Sequence, residues 1–177
     1  MMLTILSNYK AASGITVLIE KSLLTTSNGY LYMHDLIQEM GRCIVRECYS
    51  NTMVWSPKEI KEVMTRIDRL ETVEAIVETK DEYDHCYSAK VFKSMKKLRL
   101  LQVRGQFTLH EPTCFPEQLK WLCWFCYPFQ SLTMTRDMSK LVGLEMTFGW
   151  IDQLQIEKKM PFCKSKLFMY NSYIALL

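Results

Sequence analysis

The sequence predicts an α+β protein made of two modules, because two different patterns follow one another along the chain. The first third combines helical spacings of apolar residues with two β-prone runs around a turn, while the second half repeats one apolar spacing at offsets of 21 and 22 residues. Helices that flank a two-stranded wing indicate a winged helix, and a recurrence of about 20–29 residues is typical of leucine-rich repeats. We therefore predict a winged helix at 1–66, a linker at 67–95, and a short leucine-rich-repeat array (an α/β solenoid) at 96–177.

Composition and charge favour a globular chain without a membrane span. Of the 177 residues, 49% are apolar and 23% are charged, and the net charge of +3 is interleaved along the chain. A basic block of the kind that binds nucleic acid is not seen. The apolar N-terminal run is too short for a signal-peptide core, and no apolar stretch approaches the ~18–20 residues that cross a bilayer. We expect an intracellular protein, in the cytoplasm or alternatively in the nucleus, with no membrane partner.

Helical and turn signals define the first module. Residues 14–24 carry apolar side chains at helical spacing, and Asn28-Gly29 lies between two β-prone runs, which is a strong hairpin signal. A second helix is predicted over 36–48, with one apolar stripe formed by Ile37, Met40, Ile44 and Cys48. The run Ser56-Pro57-Lys58-Glu59 predicts the start of a third helix with a capping box.

The second half contains an internal repeat of the form apolar-x-x-apolar-x-apolar. The repeat positions are Leu98, Leu101 and Val103; Leu119, Leu122 and Trp124; and Leu141, Leu144 and Met146. A further unit is predicted at Lys164, Leu167 and Met169, where two of the three residues fit. Each unit would add one strand to a parallel sheet. The alternative is an ordinary mixed domain whose leucines fall in register by chance.

Metal binding and catalysis are not expected. Cys123-x-x-Cys126 is the one cysteine pair with chelating spacing, and no second close pair completes a four-ligand zinc site. His34 lies nine residues from Cys43, and neither this pair nor His85-Cys86 implies a third, orienting group. The seven cysteines lack the spacing of a disulfide framework, so we expect reduced thiols.

Nucleic-acid binding is the alternative function, because many winged helices read the major groove of DNA. The candidate recognition helix at 36–48 offers only Arg42 and Arg46, and Glu39 and Glu47 offset their charge. A stand-alone winged helix that binds nucleic acid or protein is therefore the second hypothesis, and no nucleic-acid partner is expected.

Several segments together resemble one protein family. These are "GITVLIEKSLL", "YLYMHDLIQEMGRCIVREC", "VWSPKEIKEVMT", "AKVFKSMKKLRLLQV", "PEQLKWLCWFCYPFQSL" and "MSKLVGLEMTFGWIDQL", in this order. They are similar to the plant intracellular immune receptors of the TIR, nucleotide-binding, leucine-rich-repeat (TIR-NB-LRR) class. The resemblance implies a disease resistance protein in which residues 1 to about 66 form the winged-helix end of the nucleotide-binding (NB-ARC) switch.

The resemblance also implies roles for Met33, His34 and Asp35. In complete family members the histidine of this Met-His-Asp motif faces the β-phosphate of bound ADP and helps to hold the receptor off. Here Asp35 would cap the following helix, and the unpaired N–H groups of the helix start would favour a phosphate. The motif residues are thus the predicted cofactor-binding residues.

The predicted role is regulatory and not enzymatic, because the family's catalytic and main phosphate-binding parts are absent from this sequence. The six glycines are scattered singly and form no phosphate loop, and the NAD-cleaving TIR portion is missing. We expect no cofactor in this chain alone and ADP or ATP in complete members, so the chain would be a partial or truncated receptor. Its repeat surface would contact a protein ligand or neighbouring receptor domains and transmit that contact to the nucleotide switch.

Overall fold

A computed structural model of the chain describes residues 9–28, 30–48, 52–78, 86–108, 110–112, 114–134, 136–151 and 153–156. The chain divides into two compact units, residues 1–50 and 51–177. The predicted fourth repeat at Lys164, Leu167 and Met169 lies outside the described residues.

The first unit has the predicted order of helix, hairpin and helix. Its elements are helix α1 (Tyr9–Glu20), strand β1 (Thr25–Ser27), strand β2 (Tyr30–Tyr32) and helix α2 (Asp35–Cys48). The two strands pair antiparallel, with Ser27 opposite Tyr30. Asn28 has a positive φ of 51°, the conformation for which the Asn-Gly pair was predicted to form this turn. The hairpin and the second helix are thereby confirmed.

Helix α1 ends earlier than the apolar spacing predicts. The prediction continues to residue 24, but Ser22 has a φ of 57°, and the chain leaves the helix there. The N–H groups of Leu23 and Leu24 both donate to the carbonyl oxygen of Leu18, at 2.9 and 3.2 Å. This left-handed turn satisfies the end of the helix and places Leu24 in a buried position.

The second unit contains most of the β-structure. Its strands are β3 (Met53–Val54), β4 (Ala75–Val77), β5 (Leu100–Arg104), β6 (Trp121–Phe125), β7 (Ser131–Met134), β8 (Gly143–Thr147) and β9 (Gln153–Ile156). Its helices are α3 (Pro57–Thr65) and α4 (Ile67–Leu70), with short 3-10 helices at Ala89–Ser94 and Arg136–Lys140. The first of these 3-10 helices begins after Ser88, whose hydroxyl oxygen accepts from the N–H of Lys90.

Helix α3 begins with the capping box that the sequence predicts. The Ser56 hydroxyl oxygen accepts from the N–H of Glu59 at 3.2 Å, and the Glu59 carboxylate accepts from the N–H of Ser56 at 3.0 Å. Pro57 occupies the first turn, where its missing N–H costs nothing. The helix buries Ile60, Val63 and Met64 in the core.

Five parallel strands form the main sheet, in the order β3-β4-β5-β6-β8. Paired residues on neighbouring strands are separated by a nearly constant number of residues in the sequence. Met53 lies beside Ala75, Leu100 beside Trp121, and Trp121 beside Gly143. Strands β7 and β9 form a second parallel pair, in which Ser131 lies beside Gln153. The described residues therefore form a mixed α and β protein. A leucine-rich-repeat solenoid is a finer description, and it stays a prediction.

The boundary between the units differs from the predicted one at residue 66. Strand β3 pairs with β4 in the main sheet, and helix α3 buries its apolar face in the same core. Residues 52–66 consequently belong to the second unit, and the division falls between residues 50 and 51. The helix start at Ser56 agrees with the prediction, whereas no local pattern indicates which sheet the short β3 joins.

An aromatic run fills the core behind the sheet. The ring centroids of Phe92 and Phe115 are 5.6 Å apart, and Trp124 contacts Tyr127 edge-on at 5.1 Å. The indole N–H of Trp124 donates to the carbonyl oxygen of Gly105 at 2.8 Å, so this buried donor is satisfied. These rings close one face of the sheet.

Candidate functional site

His34 lies at the cap position of α2, immediately before the first helical residue. Its carbonyl oxygen accepts from the N–H of Gln38 at 3.0 Å, which is the first bond of the helix. Its ring nitrogen Nδ1 accepts from the N–H of Leu36 at 3.2 Å. Asp35 was predicted to cap the helix, but it is the first residue within α2, and the described cap bond comes from His34. Asp35 instead places a negative charge in the first turn, where the helix dipole favours it.

The cap bond determines which nitrogen of the His34 ring can donate. A nitrogen that accepts a hydrogen bond carries no proton, so the neutral ring has its proton on Nε2. Because the His34 side chain is exposed, Nε2–H is a donor that can reach a ligand oxygen. Met33, the residue before it, is half-buried. The three residues of the motif are thus brought together at one helix start.

Helix α2 exposes much of its apolar surface. Leu36, Met40 and Ile44 are 74%, 51% and 49% exposed, and no described residue of the helix is fully buried. The predicted stripe is therefore only partly covered within the described part of the first unit. On the polar side, Arg42 and Arg46 both contact the Glu39 carboxylate, at 3.3 and 3.2 Å.

The nine predicted repeat residues lie in the interior of the second unit. Leu101, Leu122 and Leu144 are neighbours across three adjacent strands, and Val103, Trp124 and Met146 form the next row. All nine are buried; the complete set is Leu98, Leu101, Val103, Leu119, Leu122, Trp124, Leu141, Leu144 and Met146. They hold the sheet together, and the surface that could contact a partner is made by other residues.

The outward face of the sheet is built from the residues between these core positions. Gln102, Cys123 and Glu145 form one row across β5, β6 and β8. Burial raises the pKa of the Cys123 thiol to about 12, and Glu145 adds to this shift by its charge and a hydrogen bond. Cys123 is therefore neutral and poorly reactive at physiological pH.

A second outward row ends in aromatic side chains. Arg104, Phe125 and Thr147 are neighbours in this row, and the Arg104 guanidinium carbon lies 4.5 Å from the centre of the Phe125 ring. Phe125 in turn contacts Phe148, with ring centroids 5.5 Å apart. A cation and two tilted aromatic rings thus lie together where the strands end.

The turns after the three strands share one unusual backbone conformation. Gly105, Cys126 and Phe148 follow β5, β6 and β8, and their φ angles are 52°, 52° and 54°. Glycine adopts this conformation freely, whereas a bulky residue such as phenylalanine is strained there. Phe148 is nevertheless 69% exposed, and Trp150 is 78% exposed. Two large exposed apolar side chains thus follow β8, and the backbone of Phe148 is strained for a bulky residue.

Residues on the outward face were not predicted, because the apolar repeat identifies only the core positions of each strand. The signal that could have found them is the same spacing shifted by one residue, since side chains alternate between the two faces of a strand. Phe148 and Trp150 also follow the third repeat directly. An exposed aromatic pair beside a predicted strand end is a better indication of a contact surface than the repeat leucines are.

The described cysteines and helices bear on metal binding and on membrane spanning. Among the described residues, no three histidine, cysteine or acidic side chains group closely enough to hold a metal ion, and the described cysteines are free thiols. No helix in the described ranges combines the length and the apolarity that a bilayer crossing requires. The predicted cysteine pair is split, because Cys123 is buried in β6 and Cys126 is exposed in the following turn.

Comparison with known proteins links both units to one family. Residues 6–49 match the family described as the Roq1-like disease resistance protein winged-helix domain. TMV resistance protein N of Nicotiana glutinosa is 31% identical over 155 residues, an alignment that covers 84% of this chain and 13% of that protein. This chain matches one part of the TIR-NB-LRR plant disease resistance proteins. The matched family region coincides with the first compact unit, which is therefore its winged-helix domain.

Other members of the family match over a similar range. Disease resistance protein RPV1 of Vitis rotundifolia is 28% identical over 181 residues, covering 83% of this chain and 13% of RPV1. Disease resistance protein RRS1B of Arabidopsis thaliana is 29% identical over 171 residues, covering 80% of this chain and 12% of RRS1B. The chain thus corresponds to about an eighth of these resistance proteins, and it includes the second unit as well as the winged helix.

Proposed function

We propose that this chain is a non-catalytic regulatory and recognition segment of a plant immune receptor. The second unit would be the start of a leucine-rich-repeat array, whose outward sheet face contacts a protein ligand or neighbouring receptor domains. The winged helix would pass that contact to an ADP/ATP switch. The family relationship supports the receptor role, and the constant strand spacing supports the repeat array.

The observation that carries the proposal is that the two faces of the main sheet differ in their side chains. One face is closed by the repeat leucines, while the opposite face presents polar, charged and aromatic side chains in regular rows. Repeat proteins use this arrangement to keep a continuous core and a variable binding surface in the same strands. Replacement of outward residues should therefore change binding with little effect on folding.

His34 would take part in the switch through the outward nitrogen of its ring. The Nε2–H group can donate to a phosphate oxygen, and the first turn of α2 offers a favourable field for an anion. One imidazole supplies only one of the many contacts that a nucleotide needs. We expect ADP and ATP to bind to complete receptors and not measurably to this chain alone.

Calorimetry of the purified 177-residue chain with ADP tests this part of the proposal. We expect no heat of binding up to millimolar nucleotide, and His34→Ala should give the same flat titration. Micromolar binding that disappears in His34→Ala would show a complete nucleotide site in this chain and would overturn the division of roles.

Catalysis is not part of the proposed function. Cys43 follows His34 by nine residues, which places the two about half a turn apart around the axis of α2, at roughly 100° per residue. A nucleophile and its base must lie within hydrogen-bonding distance of each other. These two side chains cannot form such a pair, so the chain would act by binding alone. It would do so in the cytoplasm, or alternatively in the nucleus.

DNA binding through α2 remains the alternative function, and the contacts of its arginines weigh against it. Arg42 and Arg46 both contact Glu39, which reduces the positive charge that this helix could offer to a phosphate backbone. A fluorescence-anisotropy titration with a random duplex at low salt tests it. Salt-sensitive binding at low micromolar protein would favour the DNA-binding function over the regulatory one.

A further inference from the structure

The outward face of β6 and β8 carries two buried polar atoms without a partner. Within the described part of the chain, these are the indole nitrogen Nε1 of Trp121 and the hydroxyl oxygen of Thr147. Each such atom costs free energy until it finds a hydrogen-bond partner. Their occurrence on one face of two adjacent strands points to a partner that the free chain lacks.

The spacing of the two atoms matches an extended polypeptide. Trp121 lies beside Gly143 at the start of the paired strands, and Thr147 lies beside Phe125 at their end. Four residues along a strand correspond to about 13 Å and one strand across to about 5 Å, so the Cα atoms of the two residues are roughly 14 Å apart. An extended segment of four or five residues has the same length.

Gly143 explains how Trp121 can lie buried on an outward face. A Cβ at position 143 would overlap with the six-membered ring of the Trp121 indole, so the ring lies flat against the backbone of β8. Trp121 is consequently only 8% exposed although it points away from the core.

The adjoining turn supplies apolar anchors that are already held in place. The N–H of Trp150 donates to the carbonyl oxygen of Tyr127 at 3.1 Å. A Cβ on Gly149 would approach the Cβ of Tyr127 to 3.0 Å, so glycine favours this close contact. Phe148 and Trp150 therefore project from a fixed segment, which lowers the entropy that binding would cost.

We propose that Trp121, Thr147, Phe148 and Trp150 form the docking surface for an extended segment of another protein. The segment runs along β6 and β8, its main chain accepts from the Trp121 indole N–H and bonds the Thr147 hydroxyl, and its apolar side chains contact Phe148 and Trp150. The indole turns away from Gly143 to meet the acceptor. This inference rests on the proposed function, because it names the partner of the recognition face.

A phage-displayed library of random 12-residue peptides, selected on the immobilised 177-residue chain, provides the probe. The affinities of selected peptides are measured by fluorescence polarisation for the wild type and for single variants. Binding should weaken at least ~10-fold in Phe148→Gly and in Trp150→Ala, as expected for aromatic anchors, and less in Thr147→Val. Tyr32→Ala is the matched control, since Tyr32 is an exposed aromatic of the first unit at 52%, and it should bind as the wild type does.

Phe148→Gly separates lost binding from lost folding. Glycine relieves the strained φ of this position, so the variant should unfold at the same or a higher urea concentration than the wild type while it binds more weakly. In a ¹⁵N-labelled chain, the indole N–H signal of Trp121 should shift when a selected peptide is added. These two readouts together assign the loss to the docking surface.

Three results would overturn the inference. They are the absence of any enriched peptide, equal affinity for Phe148→Gly and the wild type, and an indole signal of Trp121 that does not move. Peptides that are weakened only by Gln102→Ala or Glu145→Ala would contradict this docking surface and leave the recognition role of the sheet intact. Peptides whose affinity is the same for the wild type and for every outward variant of the sheet would contradict the proposed function as well.

Discussion

Replacement of Gly143 by alanine should destabilise the second unit by displacing Trp121. The φ of Gly143 lies outside the left-handed region, so alanine is not strained by the backbone itself. The new Cβ would instead overlap with the indole ring, and the ring must move. The expected cost therefore comes from one side-chain contact.

The magnitude follows from the burial of the indole. Trp121 is 8% exposed, and a buried tryptophan removes about 200 Å² from water. At about 25 cal/mol per Å², complete expulsion of the ring would cost about 5 kcal/mol, and a shift that exposes half of it would cost about 2–3 kcal/mol. With a urea slope of about 1–3 kcal/mol/M, the unfolding midpoint should fall by roughly 1 M.

Tryptophan fluorescence during urea unfolding is a suitable assay, because the four tryptophans, Trp55, Trp121, Trp124 and Trp150, all belong to the second unit. Gly41→Ala is the control of opposite sign: no atom lies within 4 Å of a Cβ there, and the position is inside helix α2. It should stabilise the helix by about 0.5–1 kcal/mol, as measured by circular dichroism.

The reasoning is refuted if Gly143→Ala unfolds at the wild-type urea concentration. It is also refuted if the substitution costs as much in a Trp121→Leu background as in the wild type. In that case the indole would not be the group that Gly143 accommodates.

Four further predictions concern a turn, a helix cap and the cysteine thiols. Cys126→Gly should raise the unfolding free energy by about 0.5–1 kcal/mol, because Cys126 has a φ of 52°; a lower urea midpoint would argue against strain at this turn. Ser56→Ala should cost about 1 kcal/mol through loss of the bond to Glu59, while Ser56→Asp should restore most of it, as measured by thermal unfolding. Iodoacetamide at pH 8 should modify Cys126 and leave Cys123 unmodified in peptide mass maps, because the pKa of the Cys123 thiol is raised to about 12. The same shift makes stability fall as the pH rises from about 9 toward 12, since the unfolded chain loses this proton first; Cys123→Ala should flatten that part of the profile.

Local signals in the sequence predicted local structure well. The Asn28 turn and the capping box of Ser56 and Glu59 depend on residues within four positions of one another, and both are present as expected. The apolar spacing also predicted a row of leucines, and the structure places Leu101, Leu122 and Leu144 side by side. In these cases each residue has few alternative conformations, because turn geometry, helix capping and strand alternation restrict its position directly.

Features that depend on distant partners were not predictable in this way. Strand β3 has only two residues, and nothing in "MV" indicates that it pairs with β4. The cap of α2 was assigned to Asp35 because aspartate is the commoner capping residue, whereas the ring of His34 accepts the bond. The outward face was not predicted, because the sequence alone does not distinguish Trp121 from a core aromatic residue. The distinction depends on its packing against Gly143 in the neighbouring strand.

The order of strands in the main sheet has a consequence for how this surface can change. Every strand neighbours the next one in the sheet at 21 to 25 residues along the chain, as the pairs Leu100–Trp121 and Ala75–Leu100 show. Each strand therefore contacts only its immediate neighbours in the sheet, as the units of a repeat protein do. A substitution at one outward position then changes contacts with two adjacent strands at most. Under the proposed function, contact residues can therefore be exchanged one at a time while the leucine rows behind them stay the same.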